Sequence, residues 1–366
     1  MRVAIVYDRV NKWGGAEKVL LALHSIFPEA PLYTTVYDEK KAPWAKVFPR
    51  VHTSFLQKLK FVRDKHELLA PLTPLAFESF NFSEYDLVIS VTSDSAKGII
   101  THNKTRHICY CLTPTRHLWI HEETYKSSPS GYLRYIPFYR HVSRPFLKYA
   151  KHWDFIASGR PDSYIAISTE VKKRIKKHYK KSAHIIFPPV DIKFNQSDST
   201  TRKKYFLYVG RLESYKRVDL LVNAFNEINK KLIIVGTGSE LGRLKSKARK
   251  NIDFKGFIEE SKLKKCFQEA RALIMPQEED FGIVGVESLA AGTPVIAFKK
   301  GGSKDYIEEG VTGTFFTQQN EKSLIDAVKR FDTMNFNRTN LKNIAQRYSL
   351  KRFRQEILEF IERGKY

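Results

Sequence analysis

Apolar and polar residues alternate along the chain in a pattern that predicts strands followed by helices. The first apolar run, Val3–Tyr7, has the length of a buried strand, and Gly14-Gly15 follows it closely. The next stretch repeats its apolar residues with the period of an α-helix. Those residues are Val19, Leu20, Leu23, Ile26 and Phe27. We therefore expect Gly14-Gly15 to open the first helix of an α/β domain.

The alternation continues in two blocks, each with its own strand-like runs. In the first block these runs are Leu87–Val91, Ile108–Cys111, Tyr164–Ile167 and His184–Phe187. In the second block they are Phe206–Val209, Leu232–Val235, Ala272–Met275 and Val295–Phe298. Strands separated by helices form parallel sheets that the helices cover on both faces. The pattern therefore predicts an α/β fold with two doubly wound, Rossmann-like domains.

The domain boundary is predicted at Pro188-Pro189, because a proline pair interrupts regular structure. We assign residues 1–190 to the first domain and residues 191–348 to the second. The last segment, residues 349–366, carries apolar residues on one helical face. Those residues are Phe353, Ile357, Phe360 and Ile361. We expect this helix to pack back toward the first domain.

Length and composition agree with two globular domains in a reducing compartment. A chain of 366 residues, 42% of them hydrophobic, is long enough for two cores. Its three cysteines, Cys109, Cys111 and Cys266, are too few and unevenly placed for a disulfide framework. No apolar run reaches the roughly 20 residues that a membrane-spanning helix needs. We therefore expect a cytoplasmic protein.

The charge balance points to an anionic partner. Lysine and arginine number 63 against 39 aspartates and glutamates, which gives a net charge of +24. Such a charge favours nucleic acid, an anionic membrane surface or phosphorylated substrates. Nucleic-acid binding rests on charge alone, since no known binding motif is present, and we do not expect it.

A membrane surface is favoured by the stretch Tyr125–Ala157, which interleaves aromatic and basic residues. This combination suits the headgroup region of a bilayer. The aromatic members are Tyr132, Tyr135, Phe138, Tyr139, Phe146 and Trp153, and the basic ones are Arg134, Arg140, Arg144, Lys148 and Lys151. The alternative is a helical face packed within the domain. We expect peripheral contact with an anionic membrane.

Two glutamates eight positions apart are the strongest candidates for chemistry. Glu279 precedes the turn Phe281-Gly282 after a predicted strand, and Glu287 lies on the helix that follows. Ligands bind at the carboxyl ends of parallel strands, and the N–H groups at a helix start suit an anion. A carboxylate also suits the vicinal hydroxyls of a ribose or a hexose. The alternative is a pair of surface acids, one of which caps a helix.

Two cations are predicted at the same sheet edge. Arg211 follows the first strand of the second domain, and Lys216 stands before its first helix. A guanidinium and an ammonium can neutralise a departing diphosphate in place of a metal. The alternative is a basic, solvated loop.

A metal site is not expected. Two cysteines and four histidines crowd residues 102–121, but no C-x-x-C pair occurs among them. No Asp-x-Asp pair is present to bind a metal-bridged diphosphate.

Several motifs in the same order resemble the retaining family 4 glycosyltransferases of the GT-B fold. They are the glutamate pair, Gly210-Arg211-Leu212 with Lys216, Gly292-Thr293-Pro294-Val295, and Gly14-Gly15-Ala16-Glu17, which is similar to that family's donor loop. The stretches Arg116…Leu118-Trp119, Trp153-Asp154 and Pro188-Pro189-Val190-Asp191 resemble a branch that contains mannosyltransferases of bacterial O-antigen assembly. The resemblance covers nearly the whole chain and implies two domains that face each other across a cleft.

The resemblance also implies roles for individual residues. Glu279 would contact the donor sugar, and Glu287 would bind the ribose hydroxyls. Arg211 and Lys216 would hold the diphosphate. The backbone of Phe281, Gly282 and Ile283 would contact phosphate or sugar. Gly15 would approach the phosphate from the first domain, where a side chain would not fit.

The activity that the resemblance implies is transfer of a hexose with retention of configuration. The expected donor is GDP-mannose, with a UDP-sugar as the alternative, and no cofactor or metal is required. The expected acceptor is a hydroxyl of a growing, lipid-linked lipopolysaccharide O-antigen at the inner face of the cell membrane. The alternative hypothesis is a non-catalytic subunit that binds nucleotide sugars.

One motif departs from the family pattern. Related sequences read Cys-His-Thr-Pro-x-Arg-Tyr-Leu-Trp where this chain has Leu112 for the histidine and His117 for the tyrosine. Because position 112 is a leucine, the family's catalytic histidine of the first domain has no counterpart there. We expect His117 to position the sugar or acceptor, and to act as a base if its pKa and reach allow. The alternative is an uninvolved loop residue.

Overall fold

The computed structural model describes residues 1–59, 71–120, 139–194 and 205–364, and the side chains of 139–144 are not described. The chain divides into two compact units, Met1–Phe187 and Pro188–Tyr366. Each unit contains one parallel sheet with helices between its strands. The expected pair of Rossmann-like α/β domains is therefore confirmed.

The first unit holds a seven-stranded sheet in the order β3-β2-β1-β4-β5-β6-β7. Its strands are β1 (Val3–Tyr7), β2 (Leu32–Thr34), β3 (Val51–Thr53), β4 (Leu87–Thr92), β5 (Arg106–Cys111), β6 (Ser163–Ala166) and β7 (His184–Ile185). All neighbouring strands run parallel. Every residue of β1 and β4 is buried, because these central strands are covered on both faces.

The described helices of the first unit begin where the sequence offers a suitable start. They are α1 (Gly15–Ile26), α2 (Thr73–Glu78), α3 (Arg116–Trp119), α4 (Tyr139–Ala157) and α5 (Thr169–Tyr179). α1 starts directly after Gly14 and buries Val19, Leu20 and Leu23 against the sheet side of the unit. At the start of α5 the Ser168 hydroxyl accepts a hydrogen bond from the Val171 amide.

The second unit holds a six-stranded parallel sheet in the order β10-β9-β8-β11-β12-β13. Its strands are β8 (Tyr205–Val209), β9 (Lys231–Val235), β10 (Ile252–Gly256), β11 (Ala272–Met275), β12 (Val295–Phe298) and β13 (Gly313–Phe316). Its helices are α6 (Val218–Ile228), α7 (Leu241–Lys247), α8 (Glu260–Glu269), α9 (Ile283–Ala290), α10 (Glu321–Asp332), α11 (Arg338–Ala345) and α12 (Leu350–Arg363). The core between sheet and helices includes Phe206, Phe225 and Phe331.

The last helix, α12, buries Phe353, Ile357 and Ile361 on one face. This is the amphipathic pattern that the sequence predicts, with Phe360 half-buried. The compact unit that contains α12 is the second one. Its packing against the first domain stays a prediction, as do the domain bounds at residues 190 and 348.

Candidate functional site

The candidate site of the second unit lies where the strand order of its sheet reverses. From β8 the chain adds β9 and β10 on one side and then returns to place β11 on the other side. In open parallel sheets, the loops on either side of such a reversal point diverge and leave a crevice. Open parallel sheets bind their ligands in such a crevice.

A charged pair joins these two loops. The Lys216 ammonium lies 2.5 Å from the Glu279 carboxylate, and both side chains are largely buried, with 14% and 17% exposure. The Gln277 amide donates to the same Glu279 oxygen at 2.7 Å. The Glu279 carboxylate is thus held in one place by a cation and an amide. The residues expected to meet the sugar and the diphosphate are brought together.

Arg211 lies beside this pair through a shared tyrosine. Its guanidinium donates to the Tyr215 hydroxyl at 2.7 Å, and its carbonyl accepts from the Tyr208 hydroxyl at 3.1 Å. The Arg211 guanidinium carbon and the Lys216 nitrogen lie 5.9 and 5.3 Å from the centre of the Tyr215 ring. Two cations therefore converge on one ring at the sheet edge, and Arg211 is exposed there. Such a pair can bind a diphosphate.

The turn after Glu279 needs a glycine. Gly282 has φ +88° and directly precedes α9. A Cβ there would lie 2.7 Å from the Met275 methyl carbon and 2.8 Å from the Tyr306 hydroxyl, which itself donates to the Gly282 carbonyl. Phe281 packs its buried ring 5.6 Å from the Tyr306 ring. The Phe281 side chain is therefore structural, and the backbone at Gly282 and Ile283 forms the helix start where an anion can bind.

The backbone of Glu279 is fixed from a third loop, which follows β12. The Gly302 amide donates to the Glu279 carbonyl at 2.8 Å. A Cβ at Gly301, whose φ is +84°, would lie 2.2 Å from that carbonyl. The close approach requires glycine, and it connects three neighbouring strand ends. This loop is not among the site elements predicted from the sequence, although Gly301-Gly302 after a predicted strand is a recognisable turn signal.

Glu287 lies on α9, about one turn beyond its start, and is half-buried. Its position on the helix that the glycine turn opens is the one that the sequence predicts. Its expected contact with ribose stays a prediction.

Gly15 lies at the start of α1 in the first unit, where an acid is buried. The Tyr7 hydroxyl donates to the Glu17 carboxylate at 2.7 Å, and Glu17 is 1% exposed. Burial and the nearby Glu17 charge raise the pKa of Tyr7. A Cβ at Gly14 would lie 3.1 Å from the Glu17 carboxylate. Gly14 therefore leaves room for the buried acid, while Gly15 is exposed.

His117 lies on α3, directly after the carboxyl end of β5. Burial lowers its pKa below the ordinary value of 6.5, although the carboxylates of Asp94 and Asp154 act in the opposite direction. The imidazole is therefore neutral near pH 7. A neutral imidazole can accept a proton or donate one hydrogen bond from its ring.

A buried ion pair supports the segment that carries His117. The Lys97 ammonium and the Asp154 carboxylate lie 2.5 Å apart, and both are 1% exposed. The same carboxylate accepts from the Thr115 hydroxyl and from the Trp119 indole, each at 2.7 Å. Asp154 therefore fixes both ends of α3. The pairing of Lys97 with Asp154 is not evident from the sequence, because 57 positions separate the two residues.

The strand order of the first sheet also reverses, between β1 and β4. Asp8, which follows β1, is buried and accepts from the amides of Ser93 and Ala96. Burial and the neighbouring Asp94 raise its pKa. Arg9 pairs with Asp94 at 3.4 Å. These side chains lock the loops after β1 and β4 together.

The described part of the chain contains neither a cluster of metal ligands nor a helix that could span a membrane. Within it, no three histidine, cysteine, aspartate or glutamate side chains are grouped so that they could hold a metal ion. Likewise, no described helix is long and apolar enough to cross a bilayer.

The loops of the second unit fall within a stretch that has known relatives. Residues 190–348 match the family model Glycosyl transferases group 1. The matched stretch contains Arg211, Lys216, Glu279 and Glu287. The match concerns this broad family and specifies neither a retaining mechanism nor the mannosyltransferase branch.

Curated relatives match parts of the chain. An uncharacterized glycosyltransferase of Methanocaldococcus jannaschii, MJ1607, is 34% identical over 138 residues, which are 35% of this chain and 35% of that protein. The lipopolysaccharide 1,2-N-acetylglucosaminetransferase of Salmonella typhimurium is 27% identical over 39% of this chain and 46% of that protein. The chain thus spans less than half the length of these two relatives.

Solved structures match nearly the full chain. The Anabaena protein Alr3699/HepE in complex with UDP-glucose is 18% identical, with a TM-score of 0.71, over 99% of this chain and 100% of that one. The lipopolysaccharide outer core galactosyltransferase WaaB is 19% identical, with a TM-score of 0.65, over 98% and 99%. At these identities the likeness concerns the fold, which is that of the GT-B glycosyltransferases.

Proposed function

We propose that the protein is a retaining glycosyltransferase that moves a hexosyl group from a nucleotide sugar to a hydroxyl of a lipid-linked surface glycan. The observation that carries the proposal is the contact between Lys216 and Glu279 at the reversal point of the second sheet, with Arg211 beside it. A sugar diphosphate carries hydroxyls and negative charge close together. A carboxylate next to two cations matches both features.

The two cations and the helix start act on the leaving group. As the bond between the anomeric carbon and the diphosphate oxygen breaks, its electron pair goes to the diphosphate. Arg211, Lys216 and the backbone N–H groups at Gly282 and Ile283 stabilise the charge that develops there. Glu279 orients the sugar through its hydroxyls and stabilises positive charge on the ring.

The acceptor hydroxyl forms its new bond to the anomeric carbon on the face that the diphosphate leaves. Its proton passes to the departing phosphate oxygen, which lies on the same face. His117, which is neutral near pH 7, would position the acceptor or receive this proton. An indispensable protein base is therefore not required, which fits the presence of Leu112 in place of the family histidine.

We propose GDP-mannose as the donor, because the motifs of the first domain resemble those of the mannosyltransferase branch. A UDP-sugar is the second candidate, because the Anabaena protein of similar fold holds UDP-glucose. The acceptor class is supported by the relative from Salmonella typhimurium, whose name is lipopolysaccharide 1,2-N-acetylglucosaminetransferase. The site of action would be the inner face of the cell membrane.

The proposal is tested by binding of free nucleoside diphosphates. Calorimetry with GDP and with UDP compares the wild type with Arg211→Ala and Lys216→Ala. Each substitution removes a charged hydrogen-bond partner, which costs about 1.5–3 kcal/mol. We expect the Kd to rise by about tenfold to a hundredfold.

Lys262→Ala is the matched control, because Lys262 is an exposed lysine that pairs with Glu259 at the surface of α8. It should leave the Kd unchanged. If the wild type binds neither nucleotide, or if both site variants bind like the control, the assignment of these cations is wrong. A non-catalytic subunit would bind the nucleotide in the same way but would release no nucleoside diphosphate from any sugar donor.

A further inference from the structure

A tryptophan is exposed at the start of α1. Trp13 directly precedes Gly14-Gly15 and leaves 54% of its surface in contact with solvent. Tryptophan is largely buried on average in folded proteins, and an exposed one is informative where it belongs to a patch with a second apolar ring. A large apolar ring that stays uncovered beside a candidate substrate loop is typical of a binding surface.

A second tryptophan supports the first. The centroids of the Trp13 and Trp44 rings lie 6.2 Å apart, with 56° between their planes. The Trp44 indole N–H donates to the Lys12 carbonyl at 2.7 Å. The polar edge of Trp44 is therefore satisfied by the residue before Trp13, which ties the two rings together.

Backbone contacts bring the two rings to the carboxyl edge of the first sheet. The Val10 amide donates to the Val36 carbonyl at 3.0 Å, and the Asp38 amide donates to the Val10 carbonyl at 2.8 Å. Through these bonds the loop after β1 runs beside the loop after β2. Trp13 and Trp44 lie on these two loops, next to the point between β1 and β4 where the strand order reverses.

We propose that Trp13 and Trp44 form a saccharide-binding platform, on which one sugar ring of the acceptor glycan stacks. A pyranose presents a face of C–H bonds that carry a small positive charge. The face of an indole ring carries negative charge, and the two faces attract each other. The inference rests on the proposed function, because it assigns the platform to the acceptor of that reaction.

The surroundings of the rings fit a saccharide better than a protein or a bilayer. Lys12 is exposed before Trp13, and Glu39 and Lys46 are exposed near Trp44. Such polar groups can bind sugar hydroxyls around a stacked ring. A stable protein interface covers about 800 Å² per partner, whereas one tryptophan covers about 250 Å² at most. Two tryptophans therefore offer less surface than a stable protein interface needs, but they offer a flat ring on which one sugar can stack.

The test is binding of free saccharides in the absence of nucleotide, measured by ligand-observed saturation-transfer NMR. The probes are mannotriose, maltotriose and N-acetylchitotriose. We expect the wild type to bind at least one of them through the C–H face of a ring. Trp13→Ala should raise the Kd by at least about tenfold, and Trp13→Phe should restore part of the affinity because it keeps a flat ring.

Tyr149→Ala is the matched control, because Tyr149 is an aromatic residue of α4 with 60% exposure. It should bind the saccharides like the wild type. The inference is overturned if the wild type binds none of the three probes, or if Trp13→Ala binds them as tightly as the wild type.

A nucleotide titration of the same proteins separates this inference from the proposed function. Trp13→Ala should keep the wild-type affinity for GDP or UDP, since both cations that bind the diphosphate lie in the second unit. Intact nucleotide binding without saccharide binding would reject the platform alone. If the wild type itself did not bind GDP or UDP, the proposed function would be rejected.

Discussion

At the scale of single residues, the two glutamates of the candidate site differ in how firmly they are held. Glu279 shares one carboxylate oxygen between the Lys216 ammonium and the Gln277 amide. Its backbone is fixed by Gly302 as well. Glu287 lies on α9 and is half-buried. A rigidly held carboxylate suits a contact that matters while charge develops on the sugar.

We therefore expect Glu279→Gln and Glu287→Gln to give different kinetic patterns. Glu279→Gln should chiefly lower kcat, by about a hundredfold, because its contact strengthens as the sugar becomes positively charged. Glu287→Gln should chiefly raise KM for the donor, by about tenfold, since a ribose contact is the same before and during reaction. Steady-state kinetics with varied donor measures both values.

Glu259→Gln is the control for these two variants, because Glu259 is a surface acid at the start of α8. It should leave kcat and KM unchanged. The division of roles would be wrong if both site variants changed kcat and KM in the same proportion.

The pH dependence of turnover should reveal what His117 contributes. Burial lowers its pKa below 6.5, so the imidazole is neutral at pH 7 and gains a proton only at lower pH. If the neutral ring positions or deprotonates the acceptor, kcat stays constant above pH 6.5 and falls as the pH drops through this lowered pKa.

His117→Gln should remove that acidic limb and lower kcat near pH 7, while the exposed His102 should be replaceable by glutamine without effect. The measurement is kcat between pH 5 and pH 8, a range about one and a half units on either side of the ordinary histidine pKa. An unchanged profile with full activity in His117→Gln would leave this residue without a role.

Which site residues the sequence predicts depends on their separation along the chain. Glu279, Gly282 and Glu287 belong to one local motif, so their spacing and the glycine turn identify them. Gln277, Tyr306 and the pair of Lys97 with Asp154 have no such motif. Their partners are distant in sequence or are chosen by packing, which a single sequence does not display.

At the scale of elements, the glycine turn before α9 combines positive φ with a crowded environment. A Cβ at Gly282 would be strained by its backbone angle and would contact Met275 and Tyr306. We expect Gly282→Ala to destabilise the protein by about 1–3 kcal/mol and to weaken nucleotide binding, because the turn sets the start of α9. Thermal unfolding with and without GDP or UDP measures both effects.

Gly242→Ala is the matched control for that substitution. Gly242 lies in α7, and a Cβ there would have no heavy atom within 4 Å. Replacing a helical glycine by alanine should be neutral or stabilise by up to about 1 kcal/mol. Equal melting temperatures for the two variants would show that the turn tolerates a side chain.

The sequence predicts strands formed by a continuous apolar run better than strands whose residues are few, polar or exposed. β1, β11 and β12 have the predicted bounds, because each is a continuous apolar run between polar residues. β2 and β3 have three residues each, and β10 is only partly buried. β13 begins at Gly313 within a glycine-rich stretch. These four strands lack a sufficient apolar run, and their pairing with neighbours defines them.

At the scale of the whole molecule, the net charge of +24 and the exposed face of α4 both favour contact with an anionic membrane surface. Residues 125–138 of the predicted membrane-contacting stretch lie outside the described residues. Within α4, Trp153 donates to the Glu78 carboxylate at 2.9 Å and therefore packs inside the unit. Tyr149, Phe155 and Ile156 are exposed by 60%, 45% and 51%. Tyr149 and Ile156 are about two turns apart, as are Lys148 and Phe155, so the four side chains form two adjacent rows that make one broad stripe of the helix.

We expect this stripe to hold the protein on an anionic bilayer. Vesicles that contain phosphatidylglycerol should sediment more protein than vesicles of phosphatidylcholine alone, and added salt should reduce binding because it screens the positive charge. The triple variant Tyr149→Ser/Phe155→Ser/Ile156→Ser should lower the partition coefficient by at least about tenfold, since it removes apolar surface that would enter the interface.

The double variant Phe257→Ser/Leu350→Ser provides the control for lost apolar surface, because both residues are exposed in the second unit, by 86% and 47%. It should bind vesicles like the wild type if contact is made through α4. The charge and the stripe act together in this prediction, so each must be needed: charge brings the protein to the surface, and the apolar side chains keep it there. The prediction is wrong if the amount of sedimented protein does not depend on the anionic lipid. It is also wrong if the triple variant binds like the control, since the face of α4 would then not contact the membrane.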